Sequence, residues 1–427
     1  MRIFERTDNG YERELEVLAR RGDADLASVE RAVRAILDDV QQRGDRALVE
    51  ITERIDGRRP EPLVFERDAM QSALASLAAG PRAAMEFAAS RIRAFHERQR
   101  EQSVRFVDAD GVELGWRVRA IERIGVYAPG GKARYPSSVL MAAIPARVAG
   151  VREVVLTTPR PTAEVLAAAA IAGIDRVFDL GGAVAVAALA FGTPSVARVD
   201  KIVGPGNLYV TCAKKLVFGR VAIDGLAGPS EILVVADDGA DAETVAADLL
   251  SQAEHDEAAY PLLVTYSRAM ADRVSLEVSR QLESLPRKDI AAAAVRDHGI
   301  AFVAGDAVEA ARVATMLAAE HLALLVREPD AFFATVGAAG AAFLGDHTPE
   351  AAGDYVAGPS HVLPTGGAVR FASPLGVHDF VVRTSVIKYD RAALARHASA
   401  ITEFARLEGL EAHARAVEAR VPKSGEK

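Results

Sequence analysis

Two residue pairs in this chain have side chains that could bind a metal ion or move a proton. Gln252 and His255 come at the end of a predicted helix over residues 242–250. Their spacing of three places both on one helix face, where they could hold a single ion. Glu320 and His321 are adjacent and close a second helical run. A carboxylate beside an imidazole is a common acid–base pair.

Other metal-capable side chains follow in the C-terminal half of the chain. They are Asp354, His361, Glu408 and His413. Taken alone, the first pair is more typical of a polar helix end near solvent. Taken with the later residues, it predicts an ion ligated by imidazole, carboxylate and amide groups beside an unligated Glu–His pair. Metal-assisted proton abstraction requires this arrangement.

Composition limits the class of protein. The 427 residues are half apolar, which is enough for two large units with accessory pieces. The net charge of −8, without basic clusters, argues against a nucleic-acid partner. The single cysteine, Cys212, excludes an intrachain disulfide and favours a reducing compartment, where it would be a packed apolar residue. Residues 1–6 have no apolar signal core, and glycines break the longest uncharged run, so we expect a cytoplasmic protein without a membrane partner.

The elements that must position these residues follow an α/β pattern. The first hundred residues are predicted to be helical, and residues 104–107 and 112–118 alternate around a turn as a hairpin does. Strands and helices alternate from residue 124, and the rhythm restarts at residue 231. This pattern predicts an α/β fold with two Rossmann-like parallel-sheet units of similar plan facing a cleft, a helical N-terminal region and a small C-terminal segment.

Three glycine-containing turns follow predicted strands and could bind a cofactor. Residues 204–207 precede a helix expected to begin near Tyr209, where backbone N–H groups could hold phosphate oxygens. The turn at residues 127–131 carries Tyr127, whose ring could lie against a flat cofactor, and residues 228–231 form the third turn. A tight structural turn is the alternative in each case, but three such turns around one cleft favour a ligand.

The motifs resemble those of the histidinol dehydrogenase family over about residues 3–417. In chain order they are Gly125-Val126-Tyr127-Ala128-Pro129-Gly130-Gly131, Gly204-Pro205-Gly206-Asn207, Ala227-Gly228-Pro229-Ser230-Glu231, Ser251-Gln252-Ala253-Glu254-His255, Glu320-His321-Leu322, Gly353-Asp354-Tyr355 and His361-Val362-Leu363-Pro364-Thr365. The wider superfamily, which includes sulfopropanediol dehydrogenases, shares several of them. Residues 373–377 and 408–413 resemble the histidinol branch.

The resemblance implies oxidation of L-histidinol through L-histidinal to L-histidine, the last steps of histidine biosynthesis, with two NAD+ reduced and one zinc per site. It also implies a homodimer with a shared active site. Glu320 and His321 resemble the acid–base pair. Residues resembling zinc ligands are Gln252, His255, Asp354 and His413. Those resembling substrate contacts are Ser230, Gln252, His255, His321, Asp354, His361, Glu408 and His413. Those at NAD-contact positions are Tyr127, Val184 and Asn207.

The chemistry of the residues agrees with these roles. A neutral imidazole at His321 could accept the proton of the substrate's hydroxyl, and a carboxylate at Glu320 could activate the water that the second oxidation needs. Glu408 could accept a hydrogen bond from the substrate's imidazole ring. Val184 departs from the family, which usually has a glutamine there. Valine forms no side-chain hydrogen bond, so we expect weaker NAD binding.

The resemblance and the residues together predict four parts. They are an N-terminal arm and hairpin (1–25 and 104–123), an NAD-binding unit (124–229), a zinc and catalytic unit (26–103 and 230–370) and a C-terminal segment (371–427). The C-terminal segment is expected to contain a hairpin-like stretch at 380–386 and a final helix at 391–420. It is too short to build its own core, so we expect it to dock on the partner subunit.

Two other functions stay open. A paralogous zinc- and NAD-dependent dehydrogenase of another small polar alcohol, such as a sulfopropanediol-like substrate, would share the metal and acid–base residues. Glu408 favours histidinol over such a substrate. A zinc hydrolase without a cofactor could use the same Glu–His pair, but the glycine turns argue against it. The histidines on charged or loop segments are predicted to be surface residues; these are His96, His298, His347 and His397.

Overall fold

The computed structural model describes residues 1–21, 26–130 and 135–421. Gly131 of the first turn and residues 22–25 of the predicted arm lie outside the described residues. The strands are β1 (Arg2–Glu5), β2 (Val64–Phe65), β3 (Val104–Val107), β4 (Glu113–Ala120), β5 (Arg123–Tyr127), β6 (Glu153–Thr157), β7 (Arg176–Phe178), β8 (Lys201–Val203), β9 (Ala222–Ile223), β10 (Glu231–Ala236), β11 (Tyr260–Thr265), β12 (Ile300–Val303), β13 (His321–Leu325), β14 (Ala341–Leu344) and β15 (Val381–Lys388).

Helices cover both faces of two sheets. They are α1 (Tyr11–Ala19), α2 (Ala27–Arg43), α3 (Asp45–Asp56), α4 (Arg67–Ser76), α5 (Ala79–Glu97), α6 (Pro136–Ala149), α7 (Ala163–Ala172), α8 (Gly182–Phe191), α9 (Leu208–Val217), α10 (Ala242–Ala253), α11 (Arg268–Leu282), α12 (Lys288–His298), α13 (Ala307–Leu317), α14 (Pro329–Phe333), α15 (Glu350–Tyr355), α16 (Arg391–Leu407) and α17 (Glu411–Glu418), with 3₁₀ turns at Ala368–Arg370 and Val377–Phe380. In the described ranges, no helix is both long and apolar enough to cross a bilayer.

The chain divides into two compact units, and the larger comprises Met1–Gln99 and Ile121–Phe380. It contains two six-stranded sheets. The first has the order β2-β7-β6-β5-β8-β9, and its strands run parallel except β2. The second has the order β1-β12-β11-β10-β13-β14, and its strands are all parallel. The central strands are largely apolar and are buried because helices pack on both faces, and buried polar residues such as Glu231 and His321 lie at strand starts.

The two sheets share one strand plan. In the first sheet β5 is central, β6 and β7 lie on one side, β8 and β9 lie on the other, and β2 covers the edge beside β7. In the second sheet β10 takes the place of β5, β11 and β12 that of β6 and β7, β13 and β14 that of β8 and β9, and β1 that of β2. The order reverses between β5 and β8 in the first sheet and between β10 and β13 in the second. This is the doubly wound arrangement of Rossmann-like units. It confirms the predicted α/β fold with two units of similar plan.

The N-terminal segments divide between the two sheets. Strand β1 pairs with β12, and α1 packs on α13, so residues 1–21 extend the second sheet. The prediction placed residues 26–103 with the catalytic unit, whereas α2 and α3 pack on the first sheet's helices. Their apolar stripe, which includes Val33 and Val40, meets the alanine-rich face of α8. The stripe predicts a buried helix face but not which sheet buries it.

The smaller unit comprises Arg100–Ala120 and Val381–Lys427. It contains an antiparallel sheet of order β15-β4-β3, which confirms the β3–β4 hairpin. The predicted hairpin-like stretch at 380–386 is one strand, β15, which pairs with β4. The predicted single helix at 391–420 is two helices, because Gly409 adopts a left-handed conformation (φ +75°) between them.

Candidate active site

The candidate catalytic residues lie where two neighbouring strands begin. Glu231 opens β10, and Glu320 immediately precedes β13. The strands are parallel, with Ile232 opposite His321, so the two glutamates are side by side. The N–H of Glu231 donates to Glu320 Oε2 at 2.9 Å, and the N–H of Glu320 donates to Glu231 Oε2 at 3.3 Å. The two residues therefore hold each other by a reciprocal pair of backbone-to-carboxylate hydrogen bonds.

This corner corrects the predicted secondary structure around Glu320 and His321. The sequence suggested that both residues close a helical run. In the structure α13 ends at Leu317, Ala318 adopts a left-handed conformation (φ +44°), and His321 is the first residue of β13. A short apolar run after a helix does not distinguish a helical continuation from a buried strand.

His321 is held as a neutral imidazole. Its ring is buried, and its Nδ1 lies 2.9 Å from the carbonyl oxygen of Glu231. A carbonyl oxygen only accepts, so Nδ1 carries the proton and Nε2 keeps a free lone pair. Burial lowers the pKa of His321 to about 4, although Asp354 opposes this shift. The ring is thus neutral near pH 7 and able to accept a proton at Nε2.

Glu320 is a buried carboxyl in a negative environment. Burial raises its pKa well above the usual range, and the nearby carboxylate of Glu231 adds to this rise, while the N–H of Glu231 opposes it. Its Oε2 also lies 3.6 Å from Nδ1 of His321. A buried carboxyl next to a neutral imidazole is suited to proton transfer.

A metal-capable group surrounds the His321 ring. Within the described part of the chain, ligand atoms of His321, Glu350 and Asp354 all lie within 4.8 Å of one another. Nδ1 of His361 lies 3.1 Å from the carbonyl oxygen of Asp354 and 3.6 Å from its carboxylate. Burial lowers the pKa of His361, Asp354 opposes this shift, and nearby His255 contributes a smaller lowering. The structure therefore brings His255, His321, Asp354 and His361 into one region.

Two buried oxygens at this site have no hydrogen-bond partner among the residues that the structure describes. They are Oε1 of Gln252, whose residue is 1% exposed, and Oε1 of Glu350. A buried polar atom without a partner is costly, at about 1–3 kcal/mol. Ser251, the neighbour of Gln252, donates to the other oxygen of Glu350 at 3.0 Å, which links α10 to α15. Amide, carboxylate and imidazole groups of the kind that zinc accepts are thus present in this region.

The region around Gln252 differs in two details from the prediction. Helix α10 extends to Ala253, so Gln252 lies in its last turn, but His255 follows in a turn beyond the helix. The pair therefore does not share a helix face. Glu350 was not predicted as a site residue. Its spacing of four from Asp354 places both on one face of α15, and this signal could have identified it.

Three other predicted residues are placed as follows. Ser230 is half-buried, immediately before Glu231, and its carbonyl accepts from the N–H of Tyr260 at 2.9 Å. Glu408 caps the C-terminus of α16, and His413 lies in α17. Both belong to the smaller unit and are exposed.

The predicted NAD contacts lie at the carboxyl ends of strands in the first sheet. Tyr127 ends β5 and is 3% exposed, and its hydroxyl accepts from the N–H of Gly182 at 3.2 Å. Asn207 caps α9 and accepts from the N–H groups of Tyr209 and Val210, and the helix begins at Leu208. These positions flank the point where the strand order reverses, which is where doubly wound sheets bind ligands.

Val184, the third predicted NAD contact, is buried against the first sheet. It lies in the first turn of α8, is 2% exposed, and packs in the apolar cluster that contains Tyr127. The side chain of Val184 therefore offers no hydrogen bond to a ligand.

A buried ion pair supports the glycine turn before Asn207. Lys214 donates to the carboxylate of Asp224 and to the carbonyl of Gly204 at 3.0 Å, and Asp224 accepts from the N–H of Gly204 at 2.6 Å. Gly204 has φ +112°, and a Cβ there would lie 2.0 Å from the carbonyl oxygen of Tyr127. Only glycine fits this approach.

His96 is not the surface residue that the sequence suggested. It lies in α5 and is fully buried, with Nδ1 bonded to the carbonyl of Ile92 at 2.8 Å, and burial lowers its pKa. Among the other three histidines predicted at the surface, His347 is exposed, whereas His397 and His298 are half-buried, and the ring of His298 contacts that of Tyr260 in a tilted arrangement.

Comparison with known proteins gives one consistent result. The histidinol dehydrogenase family model matches residues 19–421. The chain is 50% identical to the histidinol dehydrogenase of Nitrosomonas europaea, covering 98% of this chain and 99% of the relative. It is 50% identical to that of Aquifex aeolicus, covering 95% and 96%. The crystal structure of histidinol dehydrogenase from Elizabethkingia anophelis superposes with a TM-score of 0.92 at 34% identity, covering 98% of each chain.

Proposed function

The chain belongs to the histidinol dehydrogenase family, an oxidoreductase family of histidine biosynthesis, and we propose that it oxidises L-histidinol through L-histidinal to L-histidine with zinc and NAD+. The observation that carries this proposal is the neutral His321, with its free Nε2, in a group of metal-capable side chains. A base that takes the proton of a substrate hydroxyl must be neutral and must lie beside the side chains that would hold the metal.

We assign the zinc to Gln252, His255 and Asp354, with His413 as the fourth ligand. The orphaned Oε1 of Gln252 supports the choice of this residue, because an amide oxygen is a suitable ligand. When bound, the zinc would lower the pKa of the substrate's hydroxyl, and NAD+ would accept hydride.

The chain's own residues divide the proton chemistry. His321 accepts the hydroxyl proton at Nε2, because its Nδ1 is occupied by the Glu231 carbonyl. Glu320, adjacent to it, activates the water that adds to the aldehyde. His361 and Ser230 border these residues and contact the substrate, and Glu408 accepts a hydrogen bond from its imidazole ring.

Tyr127 and Asn207 position NAD+ at the carboxyl ends of the first sheet's strands. The position of Val184 borders the same site, but its side chain supplies no hydrogen bond. We therefore expect NAD+ to bind less tightly than it would beside a glutamine.

We also propose that the protein is a cytoplasmic homodimer with a shared active site. The smaller unit buries few apolar side chains among its described residues, and most are alanines: Val112, Ala393, Ala405 and Ala414. It exposes several larger ones, among them Phe106, Val107, Ile387, Phe404 and Leu407. Such a surface favours a partner. The single reduced cysteine, Cys212, favours the cytoplasm.

One assay separates this proposal from its alternatives. Purified protein is given zinc, NAD+ and L-histidinol, and NADH formation is followed by absorbance. Two NADH per L-histidine supports the proposal. NADH with a sulfonated diol but not with histidinol would indicate the paralogous dehydrogenase. Cleavage of an ester or amide of histidine, with no NADH formed from histidinol or from the sulfonated diol, would indicate a zinc hydrolase. Asp346→Asn, a change of a carboxylate in an exposed turn, should behave like the unaltered protein in this assay.

A further inference from the structure

The buried carboxylate of Glu231 does no proton transfer in the proposed reaction, yet it is bonded to four N–H groups. Oε1 accepts from Nε of Arg21 at 2.9 Å and from the N–H of Gly366 at 2.7 Å. Oε2 accepts from Nη2 of Arg21 at 2.6 Å and from the N–H of Glu320 at 3.3 Å. A carboxylate offers about four acceptor positions, so Glu231 has none left for a substrate or a water.

Glu231 and Arg21 form a deeply buried ion pair. Their side chains are 1% and 2% exposed, and the guanidinium binds both carboxylate oxygens in the fork geometry that arginine favours. Arg21 is itself fixed, because its Nη1 donates to the carbonyl of Leu18 at 2.9 Å. Burying two charges is expensive unless the geometry and the remaining hydrogen bonds compensate, and here both do.

The ion pair joins three separate segments at the catalytic corner. Arg21 follows α1, Gly366 belongs to the loop that follows α15, and Glu320 ends the turn between α13 and β13. That turn contains the left-handed Ala318, a conformation that is unfavourable for a residue with a Cβ. The carboxylate of Glu231 binds the N–H two residues beyond this strained position.

We propose that Glu231 and Arg21 are positioning residues for Glu320, and that they act on the water-dependent step rather than on the His321-dependent step. This inference rests on the proposed function. The side chain of Glu231 holds the backbone of Glu320, whereas only its carbonyl oxygen holds His321. A change of the Glu231 side chain therefore loosens Glu320 and leaves the tautomer of His321 in place.

The test compares the rates of the two oxidation steps in a set of variants. Oxidation of L-histidinol to the aldehyde is measured in single turnover with a carbonyl-trapping amine, and oxidation of L-histidinal is measured by feeding it directly. The variants are Glu231→Gln, Arg21→Lys and Arg21→Gln. Arg312→Gln is the matched control, because Arg312 also tethers the N-terminal region, through Glu12 of α1, but does not touch Glu231.

We expect kcat for the aldehyde step to fall about 10- to 100-fold in Glu231→Gln and Arg21→Gln, since small misplacements of a catalytic group cost this much. The alcohol step should change less than about threefold, because His321 keeps its hydrogen bond. Arg21→Lys should lose less activity in the aldehyde step than Arg21→Gln, because lysine keeps the positive charge but cannot bind both carboxylate oxygens as the guanidinium does. The control should match the wild type in both steps.

The decisive comparison is with Glu320→Gln and His321→Asn. If the Glu231 and Arg21 variants fold, retain zinc and reproduce the profile of Glu320→Gln, the inference stands. If they reproduce the profile of His321→Asn, lose both steps equally or lose neither, it is overturned. If Glu231→Gln does not fold, Arg21→Lys decides. Equal loss of both steps in Glu320→Gln itself would refute the proposed role of Glu320. In that case, agreement between the losses in the Glu231 and Arg21 variants and those in Glu320→Gln would still test whether Glu231 and Arg21 position Glu320.

Discussion

The Nδ1 atom of His321 lies 2.9 Å from the carbonyl oxygen of Glu231, and this hydrogen bond determines which ring nitrogen can act as a base. The acceptor is part of the backbone where β10 begins, so no side-chain motion can remove it. Because burial also lowers the pKa of the ring to about 4, His321 is a neutral imidazole with one defined free nitrogen.

The first prediction concerns the division of labour between His321 and Glu320. His321→Asn should reduce oxidation of L-histidinol by about 10²- to 10⁴-fold and affect oxidation of L-histidinal much less, because it removes the base for the hydroxyl. Glu320→Gln should do the reverse, because it removes the group that activates water. Single-turnover NADH formation with each substrate measures both effects. Equal losses with the aldehyde in both variants would contradict the division.

A second prediction uses the unpartnered oxygen of Gln252. Gln252→Leu should weaken zinc binding at least about tenfold, because it removes a ligand. In the zinc-free protein the same change should raise the free energy of unfolding by about 1 kcal/mol, because a buried atom without a hydrogen-bond partner disappears. Zinc titration and urea unfolding measure the two effects.

Gln71→Leu, at an exposed position of α4, is the control for Gln252→Leu and should alter neither quantity. If the zinc-free Gln252→Leu protein is less stable than the wild type, Gln252 has a structural partner rather than a metal.

The sequence predicts the repeated α/β pattern well because its signals are local. Apolar runs such as residues 232–236 and alanine-rich helices alternate along the chain, and this run is buried as expected. The pairing of β15 with β4 joins positions far apart in the chain, and no local pattern encodes it. The same limit explains why the sequence did not show that α2 and α3 pack on the first sheet.

Residues whose side-chain type suggests a role could be picked out from the sequence as candidates. Asp354, His361 and His321 lie together, as metal and proton chemistry requires. Glu231 and Arg21 could not be recognised in this way, because their role depends on contacts between segments 210 residues apart. Glu350 was missed because a glutamate at a helix start is usually a surface residue that favours the helix dipole.

A third prediction concerns Asp248, a buried carboxyl in α10 whose pKa burial raises to about 6. The unfolded carboxyl ionises at about pH 4, so stability falls as the pH rises from about 4 through 6. Asp248→Asn avoids this loss. It should raise the free energy of unfolding by about 1–2 kcal/mol at pH 8, and by roughly 1 kcal/mol less at pH 5.

Urea unfolding at both pH values measures the effect of Asp248→Asn, with the exposed Asp346→Asn as the control. A gain that does not depend on pH would show that ionisation of Asp248 is not its cause.

A fourth prediction concerns Val184. Val184→Gln should tighten NAD+ binding by about 0.5–1.5 kcal/mol, because it adds a hydrogen-bonding group beside the cofactor turns. It should lower stability without NAD+ by a similar amount, because position 184 is 2% exposed and the amide must be buried. Calorimetric titration with NAD+ measures the first effect. Val184→Thr, which is polar but short, should not tighten binding. Unchanged affinity in the glutamine variant would mean that the pocket is built around valine.

The last prediction is that each active site uses residues from two subunits. His413 and Glu408 lie in the smaller unit, which buries few large side chains of its own and exposes several apolar ones. Glu320 lies in the larger unit. An element exchanged between protomers would make the dimer necessary for activity. Suppose that the inactive variants Glu320→Gln and His413→Asn are unfolded together and refolded as an equal mixture.

If His413 serves the partner's site, each heterodimer places both lesions in one site and leaves the other intact. Half of the dimers are then heterodimers, so about a quarter of all sites should form L-histidine again. If His413 serves its own chain, every site keeps one lesion and activity stays absent. Each variant refolded alone is the control, and native mass spectrometry establishes that heterodimers formed. Heterodimers without recovered activity would exclude the shared site.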